Sequence, residues 1–157
     1  MMKLVKDYMK RKVITAKLTD SIFKIAKVLS KHHISGVPVV SKGKVVGIIT
    51  ETDIVKFMKL DLSKTHAELV AEPHTLSIVI LTLIKDQLGI KKHLERMSKI
   101  KVKDFMTRDV ISVSPNENIL EAATILDQNH IDRLPVINRG KLIGIIARCD
   151  LIRALVD

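Results

Sequence analysis

The amino-acid sequence predicts an α+β protein in which two β-α-β-β-α motifs pack as a pseudo-twofold pair and are joined by a helical linker. Two observations predict this architecture: a long segment occurs twice, and each copy shows strand and helix periodicities in the same order. With 46% hydrophobic and 28% charged residues, the composition is that of a globular protein. Because one copy is too small to cover both its sheet and its helices, we expect the copies to pack together.

The internal repeat aligns residues 5–58 with residues 102–155 without a gap. It divides the chain into a first motif at residues 1–58, a linker at 59–101 and a second motif at 102–157. Identities occur along the whole repeat, among them Val5/Val102, Asp7/Asp104, Met9/Met106, Ile34/Ile131, Pro38/Pro135, Gly43/Gly140, Gly47/Gly144 and Asp53/Asp150.

Each motif begins with a β-rich triplet, at residues 13–15 and 110–112, that predicts a first strand. Apolar residues then recur at helical spacing, as at Ile22, Ile25 and Leu29. Thr19 and Asn116 are the predicted N-caps, since each stands just ahead of an acidic residue suited to the positive end of a helix.

A β-hairpin and a final helix complete each motif. Residues 37–40 and 45–49 predict two strands around a turn that contains Gly43, and the second motif repeats the pattern around Gly140. The proline inside the first hairpin strand places that strand at an edge or at its own start, because proline cannot donate to a ladder. Short helices are expected at residues 51–58 and 148–155.

The linker is predicted to form one or two helices after Pro73, although β-branched residues at 78–80 leave a strand open. A structureless linker of this length would be unusual. Its apolar run at residues 76–84 is about half of the roughly 20 residues that cross a bilayer, so we expect no membrane span. One cysteine and no apolar leader segment predict a cytoplasmic protein without an internal disulfide.

The chain is basic, with 27 Lys and Arg against 17 Asp and Glu and a net charge of +10. This charge favours anionic partners such as phosphate esters, nucleic acid or acidic membrane surfaces. Because the basic residues are spread along the chain, a solvated lysine-rich surface is the favoured explanation.

The ordered set of motifs resembles the CBS domain family, named after cystathionine β-synthase. The resemblance lies in the VKDYM and VKDFM openings, the SGVPVV and DRLPVI segments, and the GIITETD and GIIARCD closings. It implies a pseudo-twofold pair with two clefts between the copies, which binds AMP, ADP, ATP, S-adenosylmethionine or NAD as a regulatory ligand. No separate cofactor is implied.

The family's ribose-binding segment is similar to residues 47–53, which makes Asp53 the expected ribose anchor and Thr50 a nearby hydroxyl. The same two residues also fit a variant of the capping box at the start of a helix, and this alternative stays open. In the second copy Ala147 replaces the threonine while Asp150 remains, so a ribose role for Asp150 is less well supported.

Arg133 resembles the basic residue that contacts phosphate in AMP-sensing γ subunits of protein kinases, although an exposed salt-bridging arginine is an equal alternative. The first copy has Gly36 at this position, which leaves the backbone around Ser35 and Val37 open to a ligand. The edge prolines are expected to leave backbone groups free to recognise adenine. The resemblance also assigns nucleotide-binding positions to Ile14, Thr15, Pro38, Ile111, Leu134 and Pro135.

No catalytic or metal-binding motif is present in the sequence, so we expect a protein that is not an enzyme. His33 and His130 occupy matching positions without a second ligand at metal-binding spacing, and Cys149 has no evident base. The leading hypothesis is a ligand-sensing homodimer that acts on an unknown protein partner. The alternatives are a nucleic-acid-binding protein that uses the CBS pair as a scaffold and a purely structural dimerisation unit.

Overall fold

The computed structural model describes residues 2–57, 95 and 98–157. The predicted linker helices therefore lie almost entirely outside the described residues. The first motif contains α1 (Val5–Tyr8), α2 (Ile22–His32), β1 (Gly36–Ser41), β2 (Lys44–Thr50) and α3, which is described at residues 51–57. The second contains α4 (Val102–Phe105), α5 (Ile119–Gln128), β3 (Arg133–Asn138), β4 (Lys141–Ala147) and α6 (Arg148–Val156).

The predicted hairpins are present in both motifs, as antiparallel pairs of β1 with β2 and of β3 with β4. Val37 pairs with Ile49 and Leu134 with Ile146, and a register shift follows Val39 in one hairpin and the equivalent Val136 in the other. The turn glycines, Gly43 and Gly140, have φ near +75°, the left-handed region that glycine enters without steric cost.

The predicted first strands at residues 13–15 and 110–112 are wrong. In place of a strand, each motif has a single parallel bridge at the residue that follows the predicted segment, Ala16 or Val113. Ala16 N–H donates to the Pro38 carbonyl and Val40 N–H donates to the Ala16 carbonyl, both at 2.9 Å. If the parallel ladder continued toward the N-terminus, its next hydrogen bond would be donated by the backbone N–H of residue 38 to the Ile14 carbonyl. Proline has no N–H to make it, so the ladder stops.

The predicted N-caps are also wrong by two residues. Helix α2 begins after Ser21, whose hydroxyl accepts from Lys24 N–H at 3.2 Å, and α5 begins after Asn118, whose side chain accepts from Leu120 N–H at 2.9 Å. Asn116 instead accepts from the Lys6 ammonium at 3.1 Å. The residues before each helix are used in a turn, which moves the start of the helix along the chain.

The two motifs exchange their opening segments, residues 5–10 and 102–107: each segment packs against the other motif rather than its own. Val5 and Met9 belong to the buried cluster of the second motif, where they pack with Val113, Leu126 and Ile146. Val102 and Met106 belong to the buried cluster of the first, which also contains Ile25, Leu29 and Ile49. Antiparallel bridges Lys10↔Ile145 and Thr107↔Ile48 extend each hairpin with residues from the other motif. Each sheet is therefore completed by the opposite half of the chain.

Gly47 and Gly144 make room for the exchanged methionines. A Cβ on Gly47 would lie 2.5 Å from Met106 Sδ and 3.0 Å from the Thr107 carbonyl. A Cβ on Gly144 would lie 2.5 Å from Met9 Sδ and 3.2 Å from the Lys10 carbonyl. Both distances to sulfur are shorter than van der Waals contact, so a glycine is needed wherever an opening segment crosses the hairpin.

Asp20 holds the turn on which the exchanged segment docks. Its backbone carbonyl accepts from Val102 N–H at 2.9 Å, while its carboxylate accepts from Lys17 N–H at 2.9 Å and from the Lys24 ammonium at 2.7 Å. Burial alone would raise the pKa of Asp20, but the hydrogen bonds from Lys24 and Lys17 outweigh it, and the net shift is downward.

Among the helices that the structure describes, none is long and apolar enough to cross a membrane.

We predict that Gly47→Ala lowers the free energy of unfolding by about 1–3 kcal/mol, because the added methyl group collides with Met106. Urea denaturation monitored by circular dichroism measures the effect. Adding Met106→Ala should remove part of the penalty, so that the two substitutions are not additive. Additive costs would contradict the proposed contact across the two motifs.

We predict a pH-dependent cost for Asp20→Asn. A carboxylate whose pKa is lowered on folding stabilises the protein above its unfolded pKa, near 3.8, and this contribution is lost as the pH falls through the lower folded value. At pH 7 the variant should be less stable by about 1 kcal/mol. Thermal denaturation should show the difference closing on acidification.

Lys24→Met provides the control for this prediction, because it removes the main partner of Asp20 and should show the same pH window. A difference between parent and Asp20→Asn that stayed constant down to strongly acidic pH would contradict the role of the charge.

Candidate functional site

A cavity of about 330 Å³ lies between the two motifs. Its volume falls at the lower end of the range of about 300–1,000 Å³ that is usual for small-molecule sites. The first motif contributes the end of β2 and the start of α3, and the second contributes the segments that follow α4 and α5. The lining residues are Ser35, Ile48, Thr50, Glu51, Thr52, Asp53, Lys56, Thr107, Asp109, Ile111, His130, Ile131, Asp132 and Arg133.

Thr50 and Asp53 form a reciprocal pair where β2 passes into α3. One oxygen of Asp53, Oδ2, accepts from the Thr50 backbone N–H and hydroxyl, both at 2.8 Å, and Asp53 N–H donates to Thr50 Oγ1 at 3.3 Å. This is the geometry of a capping box. Among the described residues, the other oxygen, Oδ1, accepts one long hydrogen bond of 3.3 Å, from Thr107 Oγ1 across the motif boundary. Asp53 therefore caps the helix through one oxygen while the second faces the opposite motif.

The equivalent Asp150 is in a different environment. Its side chain is buried, Oδ2 accepts from Ala147 N–H at 3.0 Å, and Oδ1 lies 3.7 Å from the Lys10 ammonium and 4.0 Å from the Arg153 guanidinium. Lys10 is the counterpart of Thr107 in the repeat. The second copy thus replaces a hydroxyl beside the carboxylate with a cation, and Asp150 does not line the cavity described above.

Arg133 joins the two motifs at the wall of the cavity. Its guanidinium donates to the Gly36 carbonyl at 3.1 Å and to the Ser35 hydroxyl. Its Nε atom is buried and has no hydrogen-bond partner within the described part of the chain. Burial lowers the pKa of Arg133, while the charges of Asp132, Cys149, Glu51 and Asp150 act in the opposite direction.

Within the described part of the chain, the cavity wall carries more acidic than basic residues. The acidic side chains are Glu51, Asp53, Asp109 and Asp132, and the basic ones are Lys56 and Arg133. Asp132 is paired with Arg148 Nε at 3.1 Å, so part of its charge is compensated. The site is a locally acidic region of a chain whose net charge is +10.

Five of the site residues predicted from sequence line this cavity: Ser35, Thr50, Asp53, Ile111 and Arg133. The lining does not include Ile14, Thr15, Gly36, Val37, Pro38, Leu134, Pro135 or Asp150. Nor do the prolines leave their carbonyls free, because those of Pro38 and Pro135 accept from Ala16 and Val113 N–H.

Sequence reasoning missed the lining residues Glu51, Lys56, Thr107, Asp109 and His130. Thr107 and Asp109 follow the second VKDFM segment, and they reach the first motif only because the opening segments are exchanged. Lys56 lies one turn after Asp53 on α3, so helical spacing alone could have identified it.

Within the described ranges, no group of three His, Cys, Asp or Glu side chains is arranged to hold a metal ion. Cys149 is exposed and is not in a disulfide.

Comparison with known families gives a match to the CBS domain over residues 5–60 and again over residues 102–157. The chain is 41% identical over 158 residues to uncharacterized protein MJ1426 of Methanocaldococcus jannaschii, covering 98% of this chain and 91% of the relative.

Solved structures provide two further likenesses. The CBS domain pair of protein MJ0100, determined in complex with 5′-methylthioadenosine and S-adenosyl-L-methionine, superposes with a TM-score of 0.68 at 27% identity and covers 99% of this chain and 98% of that one. The structure of CBSX2 in complex with AMP gives a TM-score of 0.70 at 22% identity, with 98% and 96% covered, which shows the shared fold.

Proposed function

This chain belongs to the CBS domain family, and we propose that it is a regulatory module that binds an adenine nucleotide or a related adenosyl compound between its two motifs. The observation that carries the proposal is the composite cavity, in which Thr50 and Asp53 of one motif face Ile111 and Arg133 of the other. A structure 27% identical to this chain holds 5′-methylthioadenosine and S-adenosylmethionine, which supports this class of ligand.

We assign different parts of the cavity lining to the ribose and to the adenine ring of the proposed ligand. Asp53 Oδ1, which has one long hydrogen bond, accepts from a ribose hydroxyl, with Thr107 and Thr50 beside it. The apolar side chains of Ile48, Ile111 and Ile131 provide a surface for the adenine ring. Among the remaining predicted residues, Ile14, Gly36 and Asp150 are the repeat counterparts of Ile111, Arg133 and Asp53, and we assign them to a proposed second cleft related to the first by the pseudo-twofold.

We propose that Arg133 couples occupancy to the arrangement of the motifs. Its guanidinium already bridges to Ser35 and Gly36 of the first motif, while its Nε atom has no hydrogen-bond partner among the residues that the structure describes. An acceptor group on a ligand would compete for the same donors and change the contact between the motifs. Such a ligand shifts the equilibrium between two arrangements only by its difference in affinity for them. This role is regulatory rather than catalytic.

The second candidate is nucleic-acid binding, which the net charge of +10 favours. Salt distinguishes the two candidates, because binding to a phosphate backbone releases counterions and weakens steeply as salt rises. Binding of one nucleoside through its ribose and base should weaken much less.

We also propose a homodimer formed by the last helices of the motifs and located in the cytoplasm. Val55 on α3 is 49% exposed, and Ile152 and Leu155 on α6 are 64% and 74% exposed. Apolar surface of this kind usually marks an interface. By contrast, Phe57 packs against Phe105 with ring centroids 5.8 Å apart, so it belongs to the contact between the motifs. The exposed thiol of Cys149 suits a reducing compartment.

A thermal-shift screen of AMP, ADP, ATP, S-adenosylmethionine and NAD tests the proposed ligand class. A compound at 100 times its Kd should stabilise the parent protein by about 2.7 kcal/mol. In isothermal titration with the best ligand, Asp53→Ala should weaken binding by about ten- to a hundredfold, because it removes a charge-assisted hydrogen bond to the ribose.

Asp150→Ala is the matched control for Asp53→Ala, since it removes the equivalent carboxylate, which does not line the cavity, and should change affinity less. Asp53→Asn tests the ligand contact separately from the helix cap. Its amide oxygen can still accept from Thr50 N–H, so the cap is kept while the charge is lost. If Asp53→Ala folds and binds with unchanged affinity, the ribose assignment is wrong. If no adenosyl compound stabilises the parent, the proposed function is wrong.

For the homodimer, we predict that Leu155→Glu produces a folded monomer, because a charge on α6 cannot be buried in an apolar interface. Light scattering should give about twice 17.6 kDa for the parent and 17.6 kDa for the variant. Leu120→Glu is the control, since Leu120 is 65% exposed and lies on α5, which is not one of the final helices. A monomeric parent at micromolar concentration would refute the dimer.

A further inference from the structure

The two motifs carry opposite charges at equivalent positions around the pseudo-twofold. The repeat pairs Glu51 with Arg148, Asp109 with Lys12, and Thr107 with Lys10. Among the residues that the structure describes, four acidic and two basic residues line the cavity. The repeat counterparts of all the lining residues, neutral ones included, contain two acidic residues, Asp132 and Asp150, and four basic residues, Lys10, Lys12, Arg148 and Arg153. The acidic character of the described cavity is therefore specific to one side of the pair.

The two basic residues of the cavity are poorly placed to neutralise a chain of phosphates. Arg133 already donates to Ser35 and Gly36, so a phosphate must compete with these contacts. Lys56 is exposed, where water and salt screen its charge. These two cations can meet one phosphate group, but each further phosphate adds negative charge beside Glu51, Asp53 and Asp109.

We infer that this cavity selects adenosyl ligands by charge: it accepts a neutral, cationic or single-phosphate group on the 5′ carbon and rejects a polyphosphate chain. The inference rests on the proposed function, since it concerns the ligand class of the same site. The second cleft, with its lysines and arginines, lacks this restriction.

The test follows binding at the described cavity, identified as the binding event that Asp53→Ala weakens, by isothermal titration of the parent protein at low salt. EDTA is present, so that no divalent cation shields the phosphates. The four probes are 5′-methylthioadenosine, S-adenosylmethionine, AMP and ATP. We expect ATP to bind at least tenfold more weakly than AMP, since each added phosphate should weaken binding by about fivefold. We expect S-adenosylmethionine to bind at least as tightly as AMP. Raising the salt concentration should narrow these differences.

Glu51→Arg gives the first motif the residue that the second has at Arg148. Helix α6 begins at that arginine, so the substitution is compatible with a helix start. We expect the variant to lose most of the difference between AMP and ATP and to bind S-adenosylmethionine about tenfold more weakly. Glu121→Arg is the matched control, because it makes the same charge change in the first turn of α5, outside the cavity lining. Its affinity ratios should stay within about twofold of the parent.

The outcomes separate the two proposals. If ATP binds at the cavity that Asp53→Ala disrupts more tightly than AMP and S-adenosylmethionine do, selection by charge is wrong and the proposed function stands. Equal effects of Glu51→Arg and Glu121→Arg would also overturn the selection, because the preference would then come from the net charge of the protein. If none of the four probes binds, the proposed function fails and this inference fails with it.

Discussion

The exchange of opening segments is the constraint on which the rest of the structure depends. Val5 and Met9 fill the core of the second motif, and Val102 and Met106 fill that of the first. Neither hairpin can cover its apolar face with its own half of the chain, so the motifs fold as a pair. The exchange also builds the site, because the bridge between Thr107 and Ile48 brings the Thr107 hydroxyl to Asp53.

Features that depend on local rules could be predicted from the sequence. The hairpins follow from strand patterns around Gly43 and Gly140, and α2 and α5 follow from helical spacing. The first strands and N-caps could not be predicted in this way. A ladder to Ile14 fails because Pro38 lacks an N–H, and α2 starts late because Asp20 serves a turn. In both cases a contact with another segment overrides the local preference.

In the candidate site, too, residues marked by local motifs could be predicted, whereas residues placed by contacts between distant segments could not. Thr50, Asp53 and Arg133 could be predicted because motifs mark them, and all three line the cavity. Thr107 and Asp109 carry no motif, and their position depends on a contact between distant parts of the chain. The repeat alignment contains a signal for them, since Lys10 and Lys12 are their basic counterparts. A reversal of charge between two copies of one fold gives the two sides of the pair different electrostatic environments.

The exchange also sets the order in which a newly made chain can fold. A ribosome synthesises residues 5–10 long before β4, with which Lys10 pairs, and the core of the first motif lacks Val102 and Met106 until the second begins to emerge. The Lys3 ammonium finally donates to the Ala154 carbonyl at 2.6 Å, joining the two ends of the described chain. Contacts of such sequence separation slow folding. The first motif therefore stays incomplete during synthesis, with its apolar sheet face open to chaperones, until residues 102–106 have emerged.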